Sequence, residues 1–222
     1  MLMTNIELIN RMLELYHEPN HYRSGGNNFS NFEGGYWQVD CSCSIKTILN
    51  MGRFIPENRG LRHAGANYPA YFPDCTCEGF LNYGVVSTDF NNIEPGEIVV
   101  MYGYGHVGLY IGNGEVCEVT HAWTGGYPGC HISKIDNMGT RINCGMDNGR
   151  WSHHVKLNCI EYINEQQEEQ KEEINNDYQE SSDVKEYEEQ KEEKENENRE
   201  ISIIELFKNI LKLIKSLFSR KV

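Results

Sequence analysis

The amino-acid composition changes abruptly near residue 164, and this change limits where a hydrophobic core can form. Residues 165–200 contain 16 acidic and 5 basic residues, a net charge of −11, with only four apolar or aromatic residues among them. A segment with so little apolar surface cannot offset the conformational entropy that folding removes. We therefore predict a folded domain at 1–163, a disordered acidic linker rich in Glu, Lys and Gln at 164–200, and a separate segment at 201–222.

The rest of the composition restricts the class of protein. A chain of 222 residues with 39% hydrophobic content can bury one sizeable core but not two full domains. Residues 1–164 carry a net charge of −6, which argues against nucleic acid as a partner because phosphate binding needs a basic surface. The N-terminal residues lack a basic segment followed by an uninterrupted apolar run, so we expect cytoplasmic synthesis without a signal peptide. No apolar run approaches the roughly 18 residues of a membrane span.

The segment 201–222 has the pattern of a basic amphipathic helix. Its apolar residues recur at helical spacing and form one wide stripe, and Lys208, Lys212 and Lys215 lie on the opposite face. Such a helix binds an anionic membrane surface or associates with copies of itself. The sequence leaves both partners open, together with docking on the domain.

Hydrophobic periodicity predicts helices in the first part of the domain. Apolar residues at three-to-four spacing predict a helix over 5–16 with Thr4 as its cap, and a second helix over 42–51. The stretches without a sustained period are predicted as loops, at 24–35 and 52–92, the second with a short helix near 77–83.

Strand-like patterns follow in the second part. They predict strands at 98–102, 106–111, 115–120, 130–135 and 156–162. The order of elements indicates an α+β fold in which N-terminal helices pack on a small antiparallel sheet.

Cys41 is the candidate nucleophile because it lies where a loop meets the second helix. Unpaired amide groups and the helix dipole favour the thiolate at such a position. Position alone leaves an inert buried cysteine as the alternative. The pairs Cys41/Cys43 and Cys75/Cys77 also raise a metal site, but they lack the two-residue spacing of structural zinc sites, so we expect no metal and no cofactor.

A nucleophilic thiol needs a base, and the base needs a polar partner on its second nitrogen. His106 is the candidate base, since it begins a predicted strand between glycines that leave room for a ligand. An exposed histidine at a strand edge is the alternative.

The register of the hairpin after His106 identifies the partner. A two-residue turn at 113–114 would pair His106 with His121 and would leave the Glu118 carboxylate in the core, which is costly. A three-residue loop at 112–114 with Gly114 left-handed instead sets Glu118 opposite Gly108, beside His106. We therefore predict Glu118 as the orienting residue, with His121 as its rival.

These residues resemble a known family when taken in order. The motifs Asp40-Cys41-Ser42, Pro95-Gly96-Glu97 and the run 105–114 (Gly-His-Val-Gly-Leu-Tyr-Ile-Gly-Asn-Gly) are similar to those of the NlpC-type papain-like cell-wall peptidases. The resemblance spans about 5–163. It is close to the phage-lysin branch, whose ending is echoed by Trp151, His154, Lys156, Leu157 and Tyr162.

The resemblance implies roles and an activity. Cys41 would be the nucleophile, His106 the base and Glu118 the third polar residue, while Tyr22, which matches the Tyr of an upstream Tyr-x-x-Gly-Gly motif, would help to stabilise the oxyanion. Cys43 departs from the Gly that relatives carry.

The implied enzyme is a cysteine endopeptidase that cleaves peptidoglycan stem peptides at the cell wall through an acyl-enzyme. Three alternatives remain: a muramoyl-alanine amidase, a thiol acyltransferase acting on lipids, and an inactive wall-binding module.

Overall fold

The computed structural model describes residues 2–24, 31–67, 71–121, 128–135, 141–142 and 151–164. All of them belong to the unit Met1–Glu165, at whose end the chain divides. The linker predicted at 164–200, apart from residue 164, and the helix predicted at 201–222 lie outside the described residues. Among the helices that are described, none is both long and apolar enough to cross a membrane.

The first predicted helix is confirmed as α1, Asn5–His17. Thr4 caps it, with its side chain accepting a hydrogen bond from the Glu7 amide at 3.0 Å. Leu8, Met12 and Leu15 are fully buried, as the three-to-four spacing requires.

The second predicted helix is confirmed as α2, Cys41–Leu49, although it ends two residues earlier than expected. The Asn50 side chain, just past its end, donates to the Lys46 carbonyl and hydrogen-bonds both backbone groups of Phe72. Because Met51 then adopts a positive φ of 68°, the chain leaves the helix there.

Twelve short strands complete the described fold. In chain order they are β1 Met3–Thr4, β2 Asn20–Tyr22, β3 Asn31–Glu33, β4 Tyr36–Val39, β5 Gly84–Ser87, β6 Ile98–Met101, β7 His106–Gly112, β8 Glu115–Thr120, β9 Gly129–Ile135, β10 Arg141–Ile142, β11 His153–Leu157 and β12 Ile160–Glu161. A seven-stranded antiparallel sheet has the order β10-β9-β8-β7-β6-β11-β5. Two small sheets have the orders β2-β4-β3 and β1-β12.

The main core lies between the large sheet and the helices. Alternate residues of β6 to β8, among them Val100, Val107 and Leu109, share one sheet face and form a buried cluster with Leu8 and Ile45 of the helices. The predicted α+β fold, with N-terminal helices packed on an antiparallel sheet, is therefore confirmed.

Several short elements differ from the sequence prediction. The predicted loop at 24–35 contains β3, and the predicted loop at 52–92 contains β5 and several 3-10 helices, of which Glu78–Tyr83 matches the short helix expected near 77–83. The strand expected at 156–162 is two strands, β11 and β12, separated by a turn. These short elements form because of tertiary packing. In the β3–β4 pair, for example, Trp37 of β4 is fully buried between the rings of Phe32 of β3 and Phe54.

The β7–β8 hairpin combines features of both registers considered for it. Asn113 and Gly114 form a two-residue turn with φ of 53° and 71°. A bulge just before the turn shifts the register by one residue, so that Gly108 pairs with Glu118. The predicted pairing is confirmed, whereas the predicted three-residue loop is wrong because the bulge supplies the extra residue.

Candidate active site

Cys41 is the first residue of α2 and is 7% exposed. Asp40 caps the helix: its carboxylate accepts hydrogen bonds from the Cys43 amide at 2.6 Å and from the Ser42 hydroxyl at 3.1 Å. The cap fixes the start of the helix, so the thiol lies at the positive end of the helix dipole.

His106 begins β7 and is hydrogen-bonded to a buried carboxylate. Its Nε2 lies 2.7 Å from Glu118 Oε2, and Glu118 is fully buried. The interaction of His106 with Cys41 raises the pKa of His106 and lowers that of Cys41, so the two side chains lie near each other. Since Nε2 is used by Glu118, Nδ1 is the ring nitrogen left for the thiol. The structure therefore brings together three of the four residues predicted for the site.

Two further side chains hold the His106–Glu118 pair. The sequence analysis missed Ser133 and named Trp151 only as part of the resemblance. Ser133 Oγ on β9 donates to Glu118 Oε1 at 2.5 Å. The Trp151 indole stacks on the His106 imidazole, with ring centroids 5.5 Å apart and planes inclined by 27°. Gly108 leaves room for the indole, since a Cβ there would lie 3.1 Å from it. Strand alternation along β9 would have pointed to Ser133 had the register of that strand been known.

The environment shifts the pKa of both Cys41 and His106. Burial lowers the pKa of His106, but its interactions with Cys41 and Glu118 outweigh burial and raise the pKa to about 9. A hydrogen bond with Cys77 and burial raise the pKa of Cys41 well above its ordinary value, whereas the hydrogen bond and charge of His106 lower it. His106 therefore favours the thiolate of Cys41, against the effects of Cys77 and burial.

Cys77 is the unexpected neighbour of the thiol. Its Sγ lies 3.5 Å from Cys41 Sγ. The sequence analysis considered Cys75 and Cys77 only as metal ligands, together with Cys41 and Cys43. The two pairs do meet in the fold, but only through Cys41 and Cys77. Among the described residues, no group of three His, Cys, Asp or Glu side chains could hold a metal ion.

The remaining predicted residues lie around this centre. Tyr22 is on β2, paired with Val39 two residues before Cys41, and burial and the charge of Cys41 raise its pKa. His121, the rival third residue, is exposed just past β8 with its ring 5.2 Å from that of Tyr22, while Glu118 occupies the position on His106 Nε2.

Cys43 packs away from the centre. Its Sγ is 4.0 Å from Thr47 Oγ1, and burial and the charge of Asp40 raise its pKa to about 12. A thiol at a helix start, an imidazole and a buried carboxylate together have the groups required for nucleophilic acyl transfer.

No protein-family model and no curated protein matches the amino-acid sequence. Among solved structures, the chain is similar to NlpC1 from Trichomonas vaginalis, with a TM-score of 0.42 and 18% identity over 69% of this chain and 44% of that one. It is also similar to the peptidoglycan hydrolase RipB from Mycobacterium tuberculosis, with a TM-score of 0.43 and 19% identity over 71% and 65%.

A third similar structure is a P60 domain of an antigen from M. avium subspecies paratuberculosis, with a TM-score of 0.43 and 16% identity over 71% of this chain and 98% of that one. The chain spans less than two thirds of the length of the first two structures. One of these structures, NlpC1, carries the name of the family that the sequence resembles.

Proposed function

We propose that this chain is a cysteine endopeptidase that hydrolyses peptidoglycan stem peptides at the bacterial cell wall. The observation that carries the proposal is the placement of Cys41 at the start of α2, near His106, whose Nε2 is held by the buried Glu118. Thiol hydrolysis of an amide needs these three functions in this order.

The proposed reaction has two steps. His106 takes the proton of Cys41, the thiolate attacks the amide carbonyl, and the imidazolium then protonates the leaving amine. Water, activated by the neutral imidazole, hydrolyses the thioester and restores the thiol. Glu118 stabilises the imidazolium and fixes its orientation, while the Cys41 amide and the Tyr22 hydroxyl are assigned to the oxyanion.

The substrate class follows from the resemblance of the motifs around Cys41 and His106 to those of NlpC-type peptidases. The bond that we propose is an amide next to a D-amino acid, such as D-γ-glutamyl linked to a diamino acid. An amide there offers the carbonyl and the amine leaving group that the proposed steps require.

The test is a digest of purified peptidoglycan and of defined stem peptides with the full chain, Cys41→Ala and Cys43→Ala. We expect new amines within the stem peptide and a loss of at least about 10³-fold in Cys41→Ala. Cys43→Ala is the matched control, because Cys43 lies two residues along the same helix and contacts Thr47. Its activity should stay close to that of the parent chain.

Three results would point to another activity. Release of the peptide from muramic acid would identify an amidase, and turnover of phospholipid alone would identify a lipid acyltransferase. Binding to the wall without hydrolysis, unchanged in Cys41→Ala, would identify a binding module.

A further inference from the structure

Two thiols face each other in the candidate active site. Cys41 Sγ and Cys77 Sγ are 3.5 Å apart, and the two residues are 7% and 8% exposed. A disulfide needs its sulfurs about 2.05 Å apart, so a small side-chain movement would bring these two into bonding distance.

The fold positions Cys77 through side chains of α2. Lys46 Nζ, nearly buried, donates to Asp74 Oδ1 at 2.8 Å and to the Cys75 carbonyl at 2.9 Å. Asn50 hydrogen-bonds both backbone groups of Phe72. Because these contacts fix the segment before Cys77 to the helix that begins with Cys41, the approach of the two thiols is a property of the fold.

Contacts on the other side of Cys77 reach the imidazole. Glu78 Oε1 accepts a hydrogen bond at 2.9 Å from the amide of Gly103, in the turn that leads to His106. Phe80 is fully buried and stacks on Phe72, with ring centroids 5.4 Å apart. Cys77 is thus held between the helix that carries the nucleophile and the turn that precedes the base.

We propose that Cys41 and Cys77 form a reversible disulfide when the chain meets a low-molecular-weight disulfide as oxidant. The Cys41 thiolate attacks one sulfur of the oxidant, forms a mixed disulfide and releases one small thiol. Cys77 then attacks the Cys41 sulfur, and the second small thiol leaves with the proton that Cys77 loses. Two protein thiols are oxidised and one small disulfide is reduced.

The bond would work as a switch on the activity, and this consequence rests on the proposed function. A Cys41 sulfur engaged in a disulfide cannot attack a carbonyl, so oxidation stops hydrolysis and an added thiol restores it. Cys77 also removes the mixed disulfide from Cys41 before further oxidation can occur.

The test treats the full chain with oxidised glutathione and maps disulfides by mass spectrometry of unreduced peptides. We expect a Cys41–Cys77 cross-link that disappears with dithiothreitol. In Cys77→Ser, Cys41 should instead remain joined to glutathione. Cys75→Ser is the matched control, since it changes a thiol on the same segment and should leave the cross-link intact.

Two results would overturn the inference. One is a parent chain in which Cys41 carries glutathione while Cys77 stays a free thiol. The other is a cross-link confined to Cys117 and Cys130, whose sulfurs also lie 3.5 Å apart in the buried sheet. Disulfide mapping does not depend on hydrolysis, so a Cys41–Cys77 bond in a chain whose fully reduced form has no peptidase activity would support the pair and refute the proposed function.

Discussion

A buried carboxylate is the most demanding residue of the candidate site. Glu118 is fully buried, and an isolated charge there would be costly, but one of its oxygens faces His106 and the other accepts from Ser133. Each partner therefore offsets part of the desolvation of Glu118, and Glu118 in turn raises the pKa of His106.

Replacing Glu118 with Gln tests this dependence. The substitution keeps the shape of the side chain and removes its charge, so the pKa of His106 should fall from about 9. The pH profile of kcat/KM, which follows the protons shared by His106 and Cys41, should move to lower pH by at least about one pH unit.

His121→Gln is the control for this measurement, because His121 contacts Tyr22. An unchanged profile in Glu118→Gln together with a shifted profile in His121→Gln would assign the third position to His121.

The raised pKa of His106 also predicts how stability depends on pH. A histidine whose folded pKa is about 9, against about 6.5 for a free histidine side chain, stabilises the fold fully below pH 6.5 and loses this contribution as the pH rises through 9. The full contribution is roughly 3 kcal/mol. Urea unfolding of the parent between pH 6 and pH 9.5 should show this loss, and His106→Gln should lack most of it.

A second buried histidine provides the control. His154 is hydrogen-bonded to Glu97, and its pKa is also raised, with burial opposing and Glu97 favouring the charged form. His154→Gln should therefore remove a separate part of the pH dependence and keep the part that belongs to His106. Parallel curves for the parent and His106→Gln would contradict the assignment.

The predictability of individual residues depends on how local their signals are. Cys41 and His106 mark the beginnings of a helix and a strand. The alternation of residues between the two faces of one hairpin predicted the position of Glu118. Ser133 needs the register of a third strand, and Cys77 comes from an aperiodic segment that side chains of α2 fix in place. Contacts of this kind have no counterpart in local periodicity.

At the scale of elements, helix α2 contributes to the candidate site in two ways. Its first turn carries the candidate nucleophile, and its later residues Lys46 and Asn50 hold the segment that contains Cys77. The hydrophobic pattern of the sequence located this helix within one or two residues at each end. The same pattern did not predict the bulge in the β7–β8 hairpin, because only the pairing of the whole strand reveals an extra residue.

The Asp40 cap of α2 gives a prediction about this element. Asp40→Ala removes the acceptor of the Cys43 amide and should lower the free energy of unfolding by about 1 kcal/mol. Asp40→Asn retains an oxygen at the same place, so it should lower the free energy of unfolding by only a small fraction of that amount. Urea unfolding of the two variants at pH 7 measures the difference, and equal losses would show that the charge of Asp40 matters more than its hydrogen bond.

At the scale of the whole chain, the order of elements was enough to predict the fold class. Helices followed by a meander of antiparallel strands leave a main core between two layers, and the cluster of Leu8, Ile45 and Val107 is that core. The three-stranded sheet of β2, β3 and β4 was beyond prediction, because each of its strands has only three or four residues. A strand that short shows no period.

Charge is the second feature of the whole chain. A net charge of −11 at 165–200 separates the domain from a segment, 201–222, whose net charge is +4. We predict that this basic segment binds the full chain to vesicles containing anionic lipid. Binding should weaken as salt rises, because the attraction is electrostatic and screened.

Replacing Lys208, Lys212 and Lys215 with Gln isolates the electrostatic part, since the apolar stripe stays unchanged. At about 1 kcal/mol for each lysine near an anionic surface, the triple variant should bind about 100-fold more weakly in vesicle co-sedimentation. Equal binding by parent and variant would show that the lysines are not used. Oligomers of the parent that persist at high salt, without vesicle binding, would assign the apolar stripe to self-association, since burial of apolar surface is not screened by salt.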